Sequence, residues 1–317
     1  MIAGLLRRLV ESLLVLLLVA FASYALIGLM PGDPVDLMIA ADPRLTSADV
    51  ARLRALHGLD RPLLARFLDW LAAALAGDLG HSRLYGRPVA EVLPPRLAAT
   101  ALLMGTSLLL ALAAAVPAGI RAALRPGGRF DVLAHLLAFA AFSLPSFWLA
   151  ILLVILFSVV LGWLPPGGVP TGPAGLLDQL RHMVLPVLTL TLATFGVFFR
   201  FVRQAVAEVL AEPFVAAARA KGLSTRQLVR RHVLPVALPP VVTVTALHFG
   251  GLLSGALVVE TVFAWPGTGR LLYEAILGND FNLALAALLV ATAATLLANL
   301  LADILHVRLD PRIRDAL

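Results

Sequence analysis

The sequence predicts an all-α, polytopic membrane protein with six transmembrane helices and a small helical insert between the first two. Of its 317 residues, 60% are hydrophobic and only 14% are charged, and the mean hydropathy is +0.94. Soluble domains are about half apolar and a quarter charged. Six apolar runs reach the roughly 20 residues that a helix needs to cross the hydrocarbon core. They cover residues 9–30, 97–120, 132–161, 184–201, 238–259 and 283–305.

The first apolar run has two interpretations. Arg7 and Arg8 precede it, and Ala20-Phe21-Ala22 resembles a signal-peptide cleavage site. However, apolar character continues to Met30, beyond the length of a typical signal-peptide core. The run is therefore predicted to be a retained membrane anchor.

Arginine placement predicts the orientation. Lys221 is the only lysine, so arginine supplies almost all of the formal net charge of +6. If the N-terminus is cytoplasmic, most basic residues near the spans lie inside, and the short outer loops keep only Arg181 and Arg270. In membrane proteins the short cytoplasmic loops carry an excess of arginine and lysine over the outer loops. Both termini are predicted to be cytoplasmic, and the basic charge is attributed to these loops rather than to nucleic-acid binding.

Residues 31–96 form the predicted extracytoplasmic insert. A first short helix is expected to start at Thr46, with Asp49 completing a capping box, and to stop at Gly58. A second has Pro62 in its first turn and ends at Gly77. The insert is too small for an enzyme core and is expected to pack on the outer end of the bundle.

Motifs for catalysis are not found in the sequence. A phosphate-binding Walker A loop needs Gly-Lys-Ser/Thr, but Lys221 follows Ala220, and the chain has no cysteine. No catalytic, cofactor or metal site is predicted. Coupled carriers place ionisable groups near the bilayer midplane, where only His248 is a candidate, as a packing residue or a proton relay. Energy for uphill transport is therefore expected from another chain.

Two further regions have both a structural and a functional interpretation. Ser143, Pro145 and Ser146 interrupt the third apolar run, where proline frees a backbone carbonyl; a kink and a pathway lining are both open. After the fifth run, Glu260 precedes a loop with three residues suited to a tight path. Those residues are Pro266, Gly267 and Gly269. The loop either packs on the bundle or dips toward the pathway, where the carboxylate could meet a peptide amine or a cation.

The segment 204–235 is predicted to form two cytoplasmic helices joined by a tight turn. An Ala-rich helix through Ala216–Ala220 ends at Gly222, and Ser224 caps the next with Gln227 in a capping box. That second helix is expected to stop at Leu234-Pro235. The candidate coupling residues are Ala216, Ala217, Ala218, Arg219, Lys221, Gly222, Ser224, Arg226, Arg230, His232, Leu234 and Pro235. The segment could dock into a partner or lie on anionic lipid; DNA binding is disfavoured because the bilayer is too close.

The same segment resembles the EAA loop of binding-protein-dependent ABC importer permeases. The spacing of Ala216-Ala217-Ala218, Gly222 and His232–Pro235 is kept, although Ala216 replaces the glutamate and His232 the isoleucine. Five further motifs occur in family order: LMPGDPV (29–35), HGLDRP (57–62), GDLGHS (77–82), VVETVFAWPGTGRLL (258–272) and LDPRIR (309–314). Together they resemble the permease of oligopeptide/dipeptide/nickel-type importers.

The resemblance implies the type I importer permease fold and several partners. These are a second homologous permease (a heterodimer), two ATP-binding subunits that hold ATP and Mg, and an extracytoplasmic substrate-binding protein. The chain would form half of a pathway for di- or oligopeptides in the bacterial cytoplasmic membrane, without enzymatic activity of its own. Nickel chelates, glutathione or another small solute are alternative cargoes, and a stand-alone secondary carrier is the alternative class. The expected division is 1–30, 31–96, a core at 97–306 with the loop 204–235, and a cytoplasmic tail at 307–317.

Overall fold

The computed structural model describes residues 2–28, 52, 60–170 and 175–309. Within these ranges the chain is almost entirely helical. The helices are α1 (Ile2–Gly28), α2 (Leu63–Leu75), α3 (Val89–Leu124), α4 (Arg129–Ser143), α5 (Ser146–Val154), α6 (Leu176–Leu210), α7 (Pro213–Ala220), α8 (Thr225–Leu228), α9 (Leu234–Val262), α10 (Thr268–Leu277) and α11 (Phe281–Leu309). Two π-helical segments (Ile155–Val160 and Val229–Val233) and two short strands, β1 (His81–Ser82) and β2 (Arg87–Pro88), complete the described elements.

Among the described residues, four single helices are long and apolar enough to cross a membrane. They are Leu6–Gly28, Val89–Leu124, Leu176–Leu210 and Phe281–Ile304, and they contain most or all of the predicted first, second, fourth and sixth spans. The helices α3 and α6 are much longer than their apolar runs. Because α3 already begins at Val89, it includes the last residues of the predicted insert, among them Pro94 and Pro95.

The third predicted span is not one continuous helix. The helices α4 and α5, with the π segment that follows α5, meet at an angle of 103°. Leu144 at the break is extended, with φ −85° and ψ 128°, because the residue before a proline is disfavoured in the helical region. A new helix then starts after Pro145, whose carbonyl accepts from the Leu149 N–H at 3.0 Å.

The expected helix stop at Leu234-Pro235 is wrong. The chain passes from α8 through the π segment Val229–Val233 directly into α9, which carries the predicted fifth span. Proline lacks the N–H that an α-helix would use. A π turn changes the hydrogen-bond register locally, so the missing donor at Pro235 is accommodated without ending the helix. Side chains of residues 247 and 249–255 in α9 lie outside the described part.

Small residues let the long helices approach closely. A Cβ on Gly119 of α3 would lie 2.8 Å from the Val202 Cγ1 of α6, and one on Gly196 of α6 would overlap the Ala138 carbonyl of α4. Contacts through small residues are typical of membrane helix packing. The helix α6 thus lies between α3 and α4 and also contacts α9, while α1 packs on α11.

The described part of the insert contains α2 and a β-hairpin. The second predicted insert helix is confirmed as α2, whose Phe67 stacks edge-on against Phe21 of α1 at 5.2 Å. The hairpin, in which His81 pairs with Pro88, was not expected. The predicted helix at 46–58 lies outside the described residues apart from Arg52, as do residues 31–35 and 310–317.

The hairpin is fixed to the start of α11. Asp280 accepts from the Ser82 hydroxyl at 2.6 Å and from the Leu84 N–H at 3.0 Å. Tyr85 donates to Glu274 of α10 at 3.2 Å, and burial, the largest cause, raises the pKa of its phenol. These contacts hold the end of the insert on the bundle.

Candidate functional site

The α6–α9 loop (residues 211–233) contains the tight turn that the sequence predicts. The helix α7 ends at Ala220, and Gly222 follows with φ +80°. Its N–H donates to the Arg219 carbonyl at 2.9 Å. A Cβ built at Gly222 would meet nothing within 4 Å. The left-handed backbone alone therefore makes glycine the preferred residue here.

The start of the second helix is also as predicted. The Ser224 hydroxyl accepts from the Gln227 N–H at 3.4 Å, and the Gln227 side chain accepts from the Ser224 N–H at 3.1 Å. This reciprocal pair is the capping box. The direction of the chain after Gly222 is thus fixed by local hydrogen bonds.

One face of the α6–α9 loop is buried against the long helices. Val215 and Ala218 from α7, Leu228 from α8 and Val233 from the π segment belong to one apolar cluster. Their partners in that cluster come from α3, α6 and α9, and they are Ala123, Val202, Val206, Val209, Ala237 and Val241. A displacement of the loop would therefore act on three helices at once.

The opposite face of the loop is open to solvent. Most of the predicted coupling residues are exposed there: Ala216, Ala217, Arg219, Lys221, Gly222, Ser224, Arg226 and Arg230. Pro235, in the first turn of α9, is also exposed. His232 and Leu234 are half-buried. Ala218 is 8% exposed and faces the bundle. The exposed face combines small apolar side chains with several cations, which suits a groove on another protein.

A buried ion pair near this end of the bundle was missed by sequence reasoning. Arg203 of α6 donates to both oxygens of Asp131 in the first turn of α4, at 2.7 and 2.8 Å. Asp131 is 4% exposed and also accepts from the Gly127 N–H at 2.9 Å. A bidentate ion pair of this kind fixes the relative orientation of the two side chains in addition to pairing their charges. Asp131 and Arg203 are separated by 72 positions, so no local motif signals it.

Glu260 is near the end of α9, and its carboxylate lies at the N-terminus of α10. It is fully buried, and one carboxylate oxygen accepts from the Thr100 hydroxyl at 2.6 Å. The other oxygen accepts from the N–H groups of Gly269 and Arg270 at 2.7 and 3.1 Å. A carboxylate here satisfies free amides of the first helical turn and complements the helix dipole.

The glycines of the outer loop permit this close approach. A Cβ at Gly267 would overlap the Glu260 carboxyl group, and one at Gly269 would overlap Leu257. Pro266 is half-buried between Trp265 and Gly267. The structure therefore brings Glu260, Gly267 and Gly269 together. Their proposed contact with a transported solute stays a prediction.

The other pathway candidates lie elsewhere in the bundle. Ser143 and Pro145 are exposed and Ser146 is half-buried at the bend between α4 and α5. His248 is half-buried, and its ring packs edge-on against Phe198 at 5.5 Å. Leu144, between the bend residues, packs against the cluster that contains Trp265.

Comparison with known proteins assigns the family. The model described as "Binding-protein-dependent transport system inner membrane component" matches residues 115–315, which include the α6–α9 loop. The model for the N-terminal part of such membrane components matches residues 1–86. The chain belongs to this family.

Relatives in the family match over nearly their whole length. The oligopeptide transport system permease protein AppB of Bacillus subtilis is 34% identical, with 99% of each chain covered. A putative peptide permease of Brucella suis is 37% identical, and the glutathione transport system permease protein GsiC of Salmonella typhimurium is 38% identical, each with 98% coverage of both chains. The resemblance inferred from the sequence motifs is therefore confirmed.

Solved structures support the permease fold. A chain of the MetNI methionine ABC transporter, described in inward-facing conformations, matches with a TM-score of 0.57 at 19% identity. The match covers 69% of this chain and 96% of that one. An amino acid ABC transporter matches with a TM-score of 0.52 at 15% identity, covering 69% and 94%. The chain thus has the all-α fold of the type I importer permeases.

Proposed function

We propose that this family member is the permease subunit of an ATP-driven, binding-protein-dependent importer of di- or oligopeptides. The named peptide permeases among its relatives support the cargo class. The chain would form half of the pathway, with a second, homologous permease as the other half of a heterodimer. An extracytoplasmic binding protein would deliver the cargo, and the subunit would reside in the bacterial cytoplasmic membrane with both termini inside.

The observation that carries the proposal is the two-faced α6–α9 loop. Its buried face packs on α3, α6 and α9, and its exposed face presents Ala216, Ala217 and the basic residues. A partner seated on the exposed face would move these helices when it changes shape. Two ATPase subunits, carrying ATP and Mg, are the proposed partners, one for each permease. The chain itself then needs no catalytic residue.

Glutathione is a second candidate cargo. The glutathione permeases of Salmonella are 38% identical to this chain over 309 residues, at least as similar as the oligopeptide permease. Glutathione is a tripeptide with an additional carboxylate, so both cargoes share the peptide amide chemistry. The two candidates are distinguished by measuring uptake of each cargo in the presence of an excess of the other, because the preferred cargo reduces uptake of the other more strongly.

Reconstitution tests this function. Vesicles that contain the whole importer, with both permeases, the ATPases and the binding protein, are loaded with ATP on the ATPase side. We expect accumulation of trialanine or of glutathione that stops when ATP is replaced by a non-hydrolysable analogue. Vesicles with this chain alone should show no uptake under a proton or sodium gradient. Gradient-driven uptake by the chain alone would instead assign it to the secondary carriers.

A further inference from the structure

A groove runs between α3 and α6, and the described residues that border it include none of the candidate pathway residues. Its wider part is a cavity of about 540 Å³, bordered by Leu102 and Thr106 of α3, Gln179 and Met183 of α6, and Trp265. A second cavity of about 280 Å³ continues from it past Thr106 toward Thr191. Both cavities share Thr106, Leu180 and Met183. They form one continuous groove.

The groove is long enough to cross much of a membrane. Along α6 it extends from Leu176 to Thr191, which at 1.5 Å per residue is about 22 Å. The hydrocarbon core of a bilayer is about 30 Å thick. The groove starts at the end of α6 next to Val169 and Pro170 and ends in the middle of the helix. It therefore joins the insert side of the bundle to mid-membrane depth.

The chemistry of the groove is apolar with a few uncharged polar groups. Gln179, Thr106 and Thr191 border it, and none of the described residues that border it is ionisable. The Thr191 hydroxyl donates to the Ser107 carbonyl at 3.3 Å, and that of Thr106 to the Leu102 carbonyl at 2.6 Å. Small-molecule sites combine apolar walls with a few polar groups in this way and have volumes of about 300–1,000 Å³.

Trp265 is held at the groove by the outer loop. Its indole N–H donates to the Ala99 carbonyl at 3.1 Å, and its backbone N–H donates to the Glu260 carbonyl at 2.8 Å. The preceding residue, Ala264, has φ +51°, a conformation that alanine rarely adopts. Such strain persists only where the surroundings enforce it. Glu260, Gly267 and the start of α10 thus form a support that places an aromatic ring in the groove wall.

We propose that this groove is the wall over which the cargo passes, and that it contacts the uncharged part of a peptide-like solute without using charge. The inference rests on the proposed function and names the surface that the function uses. Thr106 and Gln179 are the contact residues, and Trp265, which is 6% exposed, forms part of the wall beside them. A wall without fixed charges suits cargoes whose side chains vary, because no residue of it selects one sign of charge.

Cysteine labelling distinguishes a water-filled groove from a lipid-covered one, since the protein has no cysteine of its own. Thr106→Cys is compared with Leu18→Cys, a control in α1 whose leucine is 67% exposed near the middle of an apolar span. Vesicles with the whole importer receive a membrane-impermeant methanethiosulfonate reagent on the insert side. We expect Thr106→Cys to react at least about tenfold faster, since thiolates form in water and not in lipid. Equal rates would overturn the proposal.

A bulky side chain tests passage of the cargo. Thr106→Phe narrows the groove, whereas Leu18→Phe adds similar bulk toward lipid. ATP-driven uptake of trialanine is expected to fall at least about tenfold in Thr106→Phe only, while ATP hydrolysis by the complex is retained. Unchanged uptake in Thr106→Phe would overturn the proposal. If wild-type vesicles import no peptide, the proposed function is wrong. The labelling experiment then still shows whether the groove is filled with water or covered by lipid.

Discussion

At the scale of single residues, the clearest requirement is the left-handed backbone at Gly222. Replacing Gly222 with valine leaves the surrounding space unchanged, because no atom lies within 4 Å of the new Cβ. The cost is therefore backbone strain of about 1–2 kcal/mol, which is relieved by redirecting α8. We expect normal membrane insertion of Gly222→Val, weaker co-purification of the ATPase subunits, and loss of cargo-stimulated ATP hydrolysis.

The control at this position is Gly222→Asn, since asparagine tolerates the left-handed region. It should keep most of the coupling although it adds a side chain of comparable size to valine. If Gly222→Val hydrolysed ATP and transported peptide like the wild type, the α6–α9 loop would not be the coupling element. Equal defects in the two variants would show that bulk on the exposed face, and not backbone strain, is responsible.

At the scale of secondary-structure elements, Glu260 fixes the start of α10. In Glu260→Gln the side-chain NH₂ group would face either the Thr100 hydroxyl or the N–H groups of Gly269 and Arg270, all of which act as donors to the carboxylate. Leaving a buried donor unpaired costs about 1–3 kcal/mol. We therefore expect a lower thermal unfolding midpoint for purified Glu260→Gln permease.

Glu274→Gln is the control for that change, because it removes one carboxylate charge from α10 itself, and its amide oxygen can still accept from the Tyr85 hydroxyl. The Arg270–Glu274 ion pair is about one-third exposed on both sides, and such pairs contribute about 0–1 kcal/mol. Its midpoint should stay close to the wild-type value. A Glu260→Gln protein as stable as Glu274→Gln would mean that the carboxylate does not hold α10 in place.

Short sequence motifs predicted turns and helix caps correctly where neighbouring residues alone determine the structure. Gly222 and Ser224 mark the turn and the cap because a backbone angle and a three-residue hydrogen-bond pattern determine them. The passage through Pro235 was not predictable in this way, since a π segment upstream replaces the expected helix stop. The hairpin was missed because its anchor, Asp280, is 198 positions from Ser82.

At the scale of the whole molecule, the composition predicted the fold class correctly but did not predict the shape of the individual spans. The apolar fraction required lipid, and the motif order placed the chain in its family. In contrast, the 103° break between α4 and α5 and the groove between α3 and α6 depend on how distant segments pack. Pathway candidates chosen for being polar, such as Glu260, turned out to be paired with the protein's own donors. The groove wall is mostly apolar and gave no sequence signal.

The orientation of the molecule determines which end of α3 a membrane-impermeant reagent can reach. Arg87 on the hairpin precedes α3, and Arg125 follows the opposite end of the same helix; both are exposed. An α3 of 36 residues is about 54 Å long, so the two positions lie on opposite sides of the roughly 30 Å hydrocarbon core. The basic residues near the spans favour Arg125 on the cytoplasmic side. In intact cells, an impermeant thiol reagent should label Arg87→Cys, and it should label Arg125→Cys only after permeabilisation. Labelling of Arg125→Cys alone in intact cells would reverse the orientation and would place the α6–α9 loop outside, away from any source of ATP.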